Sequence, residues 1–191
     1  MSRWEPNARE RLARAAVDLF AERGYDATTV AEIAERAGLT KRTFFRYFAD
    51  KREVLFGGQE ILRRLFIDGI TGAPGSATPA EALAAALEAV AAAFPQERLE
   101  QVRQRQAVVA LHTELQEREL LKAATLTAAM AESLRERGVP EPDASVAAEL
   151  GTLAFRMSFA RWVDPVNDRE FADLARETLG ELRTAAAAMG G

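Results

Sequence analysis

Residues 29–51 read TVAEIAERAGLTKRTFFRYFADK, and this stretch decides the fold. Thr29-Val-Ala-Glu32 has the spacing of a capping box, in which a hydroxyl and a carboxylate three residues apart satisfy each other's backbone amides. A short helix is therefore expected from Thr29 to Arg36. The tight turn Ala37-Gly38-Leu39 follows, and Thr40 is placed to cap a second short helix carrying Lys41, Arg42, Thr43 and Arg46. Two short helices joined by three or four residues that include glycine make a helix-turn-helix. The second helix of such a pair enters the major groove of DNA and turns its N-terminal residues to the base edges. The cationic and hydroxyl side chains crowded at the start of this one suit that placement.

Outward from the motif the chain reads as helix nearly throughout. Leu12, Ala16, Leu19 and Phe20 follow i, i+4, i+7, i+8 spacing, with Gly24 where a helix C-cap belongs. Val30, Ile33, Ala34 and Ala37 form the inward side of the next helix. Phe44 and Phe48 share a face of the third and close a three-helix core with Phe20 and Leu39. A fourth helix is expected from Asp50, whose carboxylate can cap it, to about Ile70. Residues 71–78, TGAPGSAT, break the pattern. Helices then follow over residues 79–94, 97–112, 115–137, 143–163 and 169–188, with the loop Gly138-Val-Pro-Glu-Pro142 between the third and fourth of these. The expected fold is all-α with about nine helices: a helix-turn-helix domain over residues 1–55 and a second helical domain over residues 56–191.

The net charge of -4 speaks against nucleic acid only until it is divided. Residues 1–56 hold eleven Lys and Arg against nine Asp and Glu, whereas the remainder holds fourteen against twenty. Between Arg36 and Arg52 six cations (Arg36, Lys41, Arg42, Arg46, Lys51, Arg52) face one acid, Asp50. Screening limits phosphate attraction to roughly 8 Å at physiological salt, so the local excess is what counts. The chain has no cysteine, which excludes disulfides and thiolate metal sites and suits a reducing cytosol. The N-terminus Met1-Ser-Arg-Trp-Glu-Pro lacks the apolar centre of a signal peptide, and the most apolar run, Ala82 to Ala93, is short and interrupted by Glu88. A cytoplasmic protein without a membrane span is expected. With one histidine and no phosphate loop, zinc motif or nucleophile elbow, no catalytic set, metal or cofactor is expected.

From about Arg9 to Leu55 the sequence resembles the TetR family of transcriptional regulators. The resemblance rests on LFAERGYDATTV at the end of the first helix, AEIAERAGLTKRTFFRYF across the two short ones, and DKREVL after them. It implies an operator-binding homodimer whose C-terminal domain forms a ligand pocket and a two-fold interface. By the same resemblance Thr29 contacts a phosphate or base, and Thr40, Lys41, Arg42 and Thr43 form the groove-facing start of the recognition helix. Tyr47 and Lys51 correspond to positions that clamp the DNA backbone. Arg42 is the choice for base readout, because guanidinium pairs bidentately with O6 and N7 of guanine. Positions on this helix depart from the family pattern. Arg42 stands where a small residue is common, and Phe45 where tyrosine is common, so Phe45 offers an apolar contact such as a thymine methyl. Arg46 replaces a frequent histidine with a permanent charge.

The C-terminal half leaves alternatives open. Val102, Arg103 and Gln106 share a helix face that either lines a pocket, with Arg103 meeting an acidic group, or is solvated. His112 is either a satisfied histidine or a pocket residue. Met130, Phe155 and Phe159 suggest a small hydrophobic effector, although an aromatic stripe at helical spacing also suits a core. Ala147, Leu150, Gly151, Ala154 and Trp162 on the eighth helix, with Phe171, Leu174 and Leu182 on the ninth, are expected to build a four-helix dimer interface. The leading expectation is a repressor released from a near-palindromic DNA operator by a small hydrophobic ligand. The alternative is a helical DNA-binding protein without small-molecule input, whose C-terminal domain only dimerises or binds another protein.

Overall fold

The computed structural model describes residues 7–189, so the segment read as lacking a signal peptide, residues 1–6, lies outside it. Among the described residues there are nine α-helices and no strand. They are α1 (Ala8–Arg23), α2 (Val30–Arg36), α3 (Lys41–Tyr47), α4 (Gln59–Gly72), α5 (Pro79–Ala91), α6 (Leu99–Ala110), α7 (Thr113–Glu136), α8 (Asp143–Val163) and α9 (Phe171–Met189). Two short 3₁₀ turns, Glu53–Phe56 and Gln96–Arg98, complete the order. No described helix is long and apolar enough to cross a membrane.

The chain forms two compact units. The first takes in residues up to Gln59 together with Glu100–Glu119, and the second takes in Glu60–Leu99 with the residues from Leu120 onwards. Residues 100–119, expected from chain order in the second domain, thus pack with the first unit.

In the first unit, α1, α2 and α3 enclose Leu12, Ala16, Leu19, Phe20, Ile33, Ala34, Phe44 and Phe48. The caps foreseen from spacing are formed. Thr29 N donates to Glu32 Oε2 at 2.8 Å, and Glu32 N donates to Thr29 Oγ1 at 3.3 Å. The α2 terminus closes with Leu39 N donating to Ala34 O and Gly38 N to Glu35 O, each at 2.8 Å. This closure needs the left-handed backbone of Gly38 (φ +65°), which a side chain would strain. A Cβ there would also lie 2.9 Å from Arg11 Nη2, the group that bonds Ala37 O and braces the turn from α1. Thr40 caps α3, accepting from Thr43 N at 3.1 Å.

Asp50 does not open the fourth helix. Its Oδ1 accepts from the amides of Arg52 and Glu53, at 2.8 and 3.0 Å, and so caps the 3₁₀ turn Glu53–Phe56. Three consecutive residues there, Val54, Leu55 and Phe56, are buried. The helix proper waits until Gln59.

Residues 100–119 hold this same turn. Arg105 Nε donates to Leu55 O at 2.8 Å, and its guanidinium lies 5.0 Å from the Phe56 ring centroid. Glu119 pairs with Arg105 at 2.7 Å, and Arg118 Nε donates to Glu53 Oε1 at 2.8 Å. Val108, Val109 and Leu115 join the apolar core itself.

In the second unit α5, α8 and α9 pack on one another, and a second capping box, Thr78 with Glu81, starts α5. Gly69 of α4 lies against α5 so closely that an added Cβ would sit 2.4 Å from Ala86 Cα, so this crossing is backbone to backbone. Buried Leu83, Leu87, Val90, Met130, Leu134 and Trp162 fill the interior.

Leu115→Ala removes a wholly buried side chain from the first unit. It is expected to destabilise that unit by about 2–5 kcal/mol. Hydrogen exchange of the α1–α3 amides under native conditions reads this directly. Unchanged protection in those helices would show that residues 100–119 are not part of their core.

The two capping boxes also contribute to the acid limit of the fold. The Thr29 amide holds the Glu32 carboxyl below its usual value of 4.5, and the Thr78 amide does the same for Glu81. A carboxylate depressed in the folded state binds protons more weakly there than in the unfolded chain. Its stabilisation is therefore complete above about pH 4.5 and is lost as pH falls through the folded value. Urea midpoints should be flat from neutrality to about pH 5 and decline below it. The double variant Glu32→Gln/Glu81→Gln keeps acceptor oxygens in both boxes without the titration, so its acid limb should be shallower. Parallel limbs for variant and parent would remove the boxes from the account.

Candidate nucleic-acid interface

Helix α3 splits into two faces. Phe44 and Phe48 point inward, 0% and 4% exposed, and pack with their rings tilted by 45° and centroids 5.5 Å apart. The register that buries them turns Lys41, Arg42, Phe45 and Arg46 outward, since positions 41, 42, 45 and 46 share the opposite face. Phe45 is 50% exposed, an unusual position for so large an apolar side chain, with Lys41 Nζ 6.0 Å from its ring centroid. Arg46 lies over the Tyr47 ring at 5.0 Å and donates to its hydroxyl at 3.2 Å, holding the half-buried phenol at the edge of the exposed face. Thr40 and Thr43 share a hydroxyl–hydroxyl hydrogen bond of 3.0 Å at the start of the helix. Thr29 stands exposed at the head of α2, its hydroxyl donating to Glu32 Oε2 at 2.8 Å.

The six cations between Arg36 and Arg52 are not equivalent. Arg36 makes two bonds to the Glu22 carboxylate, at 2.8 and 2.9 Å. Arg52 grips Asp50 through Nε and Nη2, and although burial pushes the Asp50 carboxyl up, these bonds with the amides of Glu53 and Arg52 hold it below the usual aspartate value. Lys51, expected to clamp DNA phosphate, is turned inward. Its Nζ donates to Tyr25 O at 2.7 Å, Thr28 O at 3.2 Å and Asp26 O at 3.4 Å, and sits 4.2 Å from the Tyr25 ring centroid. That leaves Lys41, Arg42 and Arg46, all on the outer face of α3. Arg42 makes no hydrogen bond or ion pair with any described residue, so its whole donor fork is available.

The residues expected to line a ligand pocket divide between the units. Val102, Arg103, Gln106 and His112 belong to the first, and Met130, Phe155 and Phe159 to the second. His112 is a satisfied histidine. Its Nδ1 donates to Val108 O at 2.8 Å, its ring lies 5.0 Å from the Tyr25 ring, and Nε2 faces Asp26 Oδ2 at 3.8 Å. Gln106 accepts from Arg105, and Met130 is wholly buried.

Phe155 and Phe159 belong to the same aromatic cluster as Trp162 and Phe171, which were expected at a dimer interface. Phe94 is its centre, with ring centroids 5.8, 5.7, 5.5 and 4.8 Å from Phe155, Phe159, Trp162 and Phe171 in turn. Trp162 donates to Gln96 Oε1 at 3.2 Å and is fully enclosed. Ala147, Gly151, Ala154 and Leu174 are likewise buried within their own chain, because α8 turns its small residues to neighbouring helices; Leu83 fills the space beside Gly151. With Phe171, which is 1% exposed, those six residues present no free surface for a partner. Leu150 and Leu182 remain half exposed. The face that α8 does leave open carries Val146 and Leu153, 56% and 37% exposed, and a shallow groove between Leu150, Glu149 and Arg156. The sequence reading missed this face because its apolar residues are interleaved with charged ones.

Residues 12–56 match the family described as bacterial regulatory proteins, tetR family. The regulator TcmR of Streptomyces glaucescens is 38% identical over 82 residues, which cover 43% of this chain and 36% of that protein. The chain thus spans about a third of the length of that curated relative, and smaller shares of others. Over nearly the whole chain the fold is similar to a TetR-family regulator structure from Syntrophomonas wolfei, with a TM-score of 0.63, 18% identity and 95% of both chains covered. It is also similar to SmeT of Stenotrophomonas maltophilia in its triclosan complex, with a TM-score of 0.60, 24% identity, and 95% and 90% covered. Taken with the capped helix-turn-helix and its outward cationic face, these likenesses show that residues 12–56 are a helix-turn-helix unit of the tetR family kind and that the rest of the chain shares the fold of such regulators.

Proposed function

We propose that the chain is a homodimeric repressor that reads a near-palindromic operator through α3 and releases it when a small hydrophobic molecule binds the second unit. The observation that carries the DNA-reading part is the outward face of α3, where Arg42 stands without an internal partner beside Lys41, Phe45 and Arg46. Arg42 reads guanine, and Phe45 meets a thymine methyl. Lys41, Arg46, Thr29, Thr40, Thr43 and Tyr47 contact the backbone or adjacent base edges and fix the register.

Dimerisation supplies the second half-site, since one seven-residue helix reads too few base pairs for genomic specificity. The open face of α8, with Val146, Leu150 and Leu153, is the surface best suited to it. The half-buried rings of Phe94, Phe155 and Phe159 favour a hydrophobic effector, and the similar fold of SmeT, a repressor solved with triclosan, supports that class. Coupling of about 1–3 kcal/mol between the two sites would suffice for release. The aromatic cluster also packs closely on itself, and this favours a second reading in which the C-terminal half only dimerises or binds another protein. A thermal-shift series with hydrophobic small molecules separates the two.

The deciding experiment is selection of duplexes from a random-sequence pool by the purified protein at physiological salt. An inverted repeat should emerge; no enriched sequence would sink the reading. Arg42→Ala should then cost about 1–3 kcal/mol of binding and relax one position in each half-site. An unchanged motif would remove Arg42 from the readout. Leu153→Arg places a charge on the open face of α8 and should weaken self-association roughly tenfold or more, measured by analytical ultracentrifugation. An unaltered dimer would put the interface elsewhere.

A further inference from the structure

We propose that Lys51 is a positioning residue for the DNA-reading face: its ammonium fixes the entry to α2 against the exit from α3 from inside the protein and makes no phosphate contact. The proposal rests on the reading of α3 as the recognition helix. A lysine ammonium has three donors, and three carbonyls converge on this one, those of Tyr25, Thr28 and Asp26. No donor is left for an external anion. The Tyr25 ring closes one side at 4.2 Å and is itself anchored in the core, 5.1 Å from Phe20 and 5.0 Å from His112.

The bonded carbonyls form the turn between α1 and α2. Its other anchor is Thr28, whose hydroxyl is buried and donates to Gly24 O at 2.8 Å. The next residue, Thr29, is the N-cap of α2. Lys51 itself lies four residues beyond the end of α3. One ammonium therefore ties the chain leaving the recognition helix to the chain entering its companion. To reach a phosphate it would have to abandon three charge-assisted bonds and strand part-buried carbonyls, while gaining a contact made in solvent. The inward state is favoured on that comparison.

Convergence also explains why lysine stands here. A compact ammonium can point three donors into a small cup of carbonyls, whereas the flat fork of arginine cannot. The two readings of Lys51 thus make opposite forecasts for Lys51→Arg, because arginine serves a phosphate at least as well.

The test measures binding of the duplex recovered by the wild-type protein, as a function of salt and at 10 °C, for wild type, Lys51→Met and Lys51→Arg. Both variants are expected to bind about tenfold or more weakly. The slope of log K against log salt should equal that of wild type, because no phosphate contact is lost. A slope smaller by about 0.9 in Lys51→Met, with wild-type affinity in Lys51→Arg, would establish a phosphate contact and overturn the proposal. A lower melting midpoint with unchanged affinity and slope in both variants would reduce Lys51 to a purely stabilising role, and overturn it too. Should neither variant fold, the wild-type protein decides. The Lys51 ammonium ¹⁵N signal should be unchanged on adding the duplex, and scalar coupling from it to ³¹P would overturn the proposal. Failure of the repressor reading is a separate result, seen when the wild-type protein itself enriches no sequence.

Discussion

A helix of seven residues does not persist alone in water, because nucleation fixes several backbone dihedrals before the hydrogen bonds that reward it accumulate. The outward face of α3 therefore exists only while Phe44 and Phe48 are buried. Those two rings make the helix and aim it in one act, since their burial leaves Lys41, Arg42, Phe45 and Arg46 no other direction to point. The threonine caps at Thr29 and Thr40 add the missing partners for the first amides of two helices that are almost all terminus. The Gly38 turn, braced by Arg11, fixes the angle between them.

That small core extends beyond the three helices. Val108, Val109 and Leu115 complete it, and Arg105 and Arg118 grip the 3₁₀ turn that follows α3. One Arg105 nitrogen, Nη2, is enclosed without a hydrogen-bond partner, and the compensating contact is the face of the Phe56 ring. The unit that presents α3 is thus made of two stretches of chain separated by some forty residues, and a boundary drawn after Leu55 would cut through its core.

Legibility followed range. Caps, the glycine turn and the Phe44/Phe48 spacing are relations among residues at most a few positions apart, and the helix-turn-helix could be read from them residue by residue. The later helices were legible too, within a few residues of their ends, because periodicity is equally local. Periodicity reports that a face is buried, though not against what. Phe155, Phe159 and Trp162 do form a stripe, but their partners Phe94 and Phe171 lie on other segments, so spacing alone could not show that all five rings belong to one cluster. The bonds from Arg105 to Leu55 and from Arg118 to Glu53 span 50 and 65 residues, and nothing local to either end announces them.

Charge shows the same limit more sharply. Six cations in seventeen residues form a local basic excess, yet three of them are bonded within the chain, Arg36 to Glu22 and Arg52 to Asp50 at the surface and Lys51 to the carbonyls of the α1–α2 turn. An arginine already paired must break that pair to meet a phosphate, and its gain is the difference between two similar interactions. An arginine with no partner gives up only hydration. Arg42 is in the second position, and Lys41 and Arg46, held only by aromatic faces and one phenol, are close to it. On the proposed reading, the affinity of this face for DNA depends less on how many cations the segment carries than on which ones the fold has left unpaired.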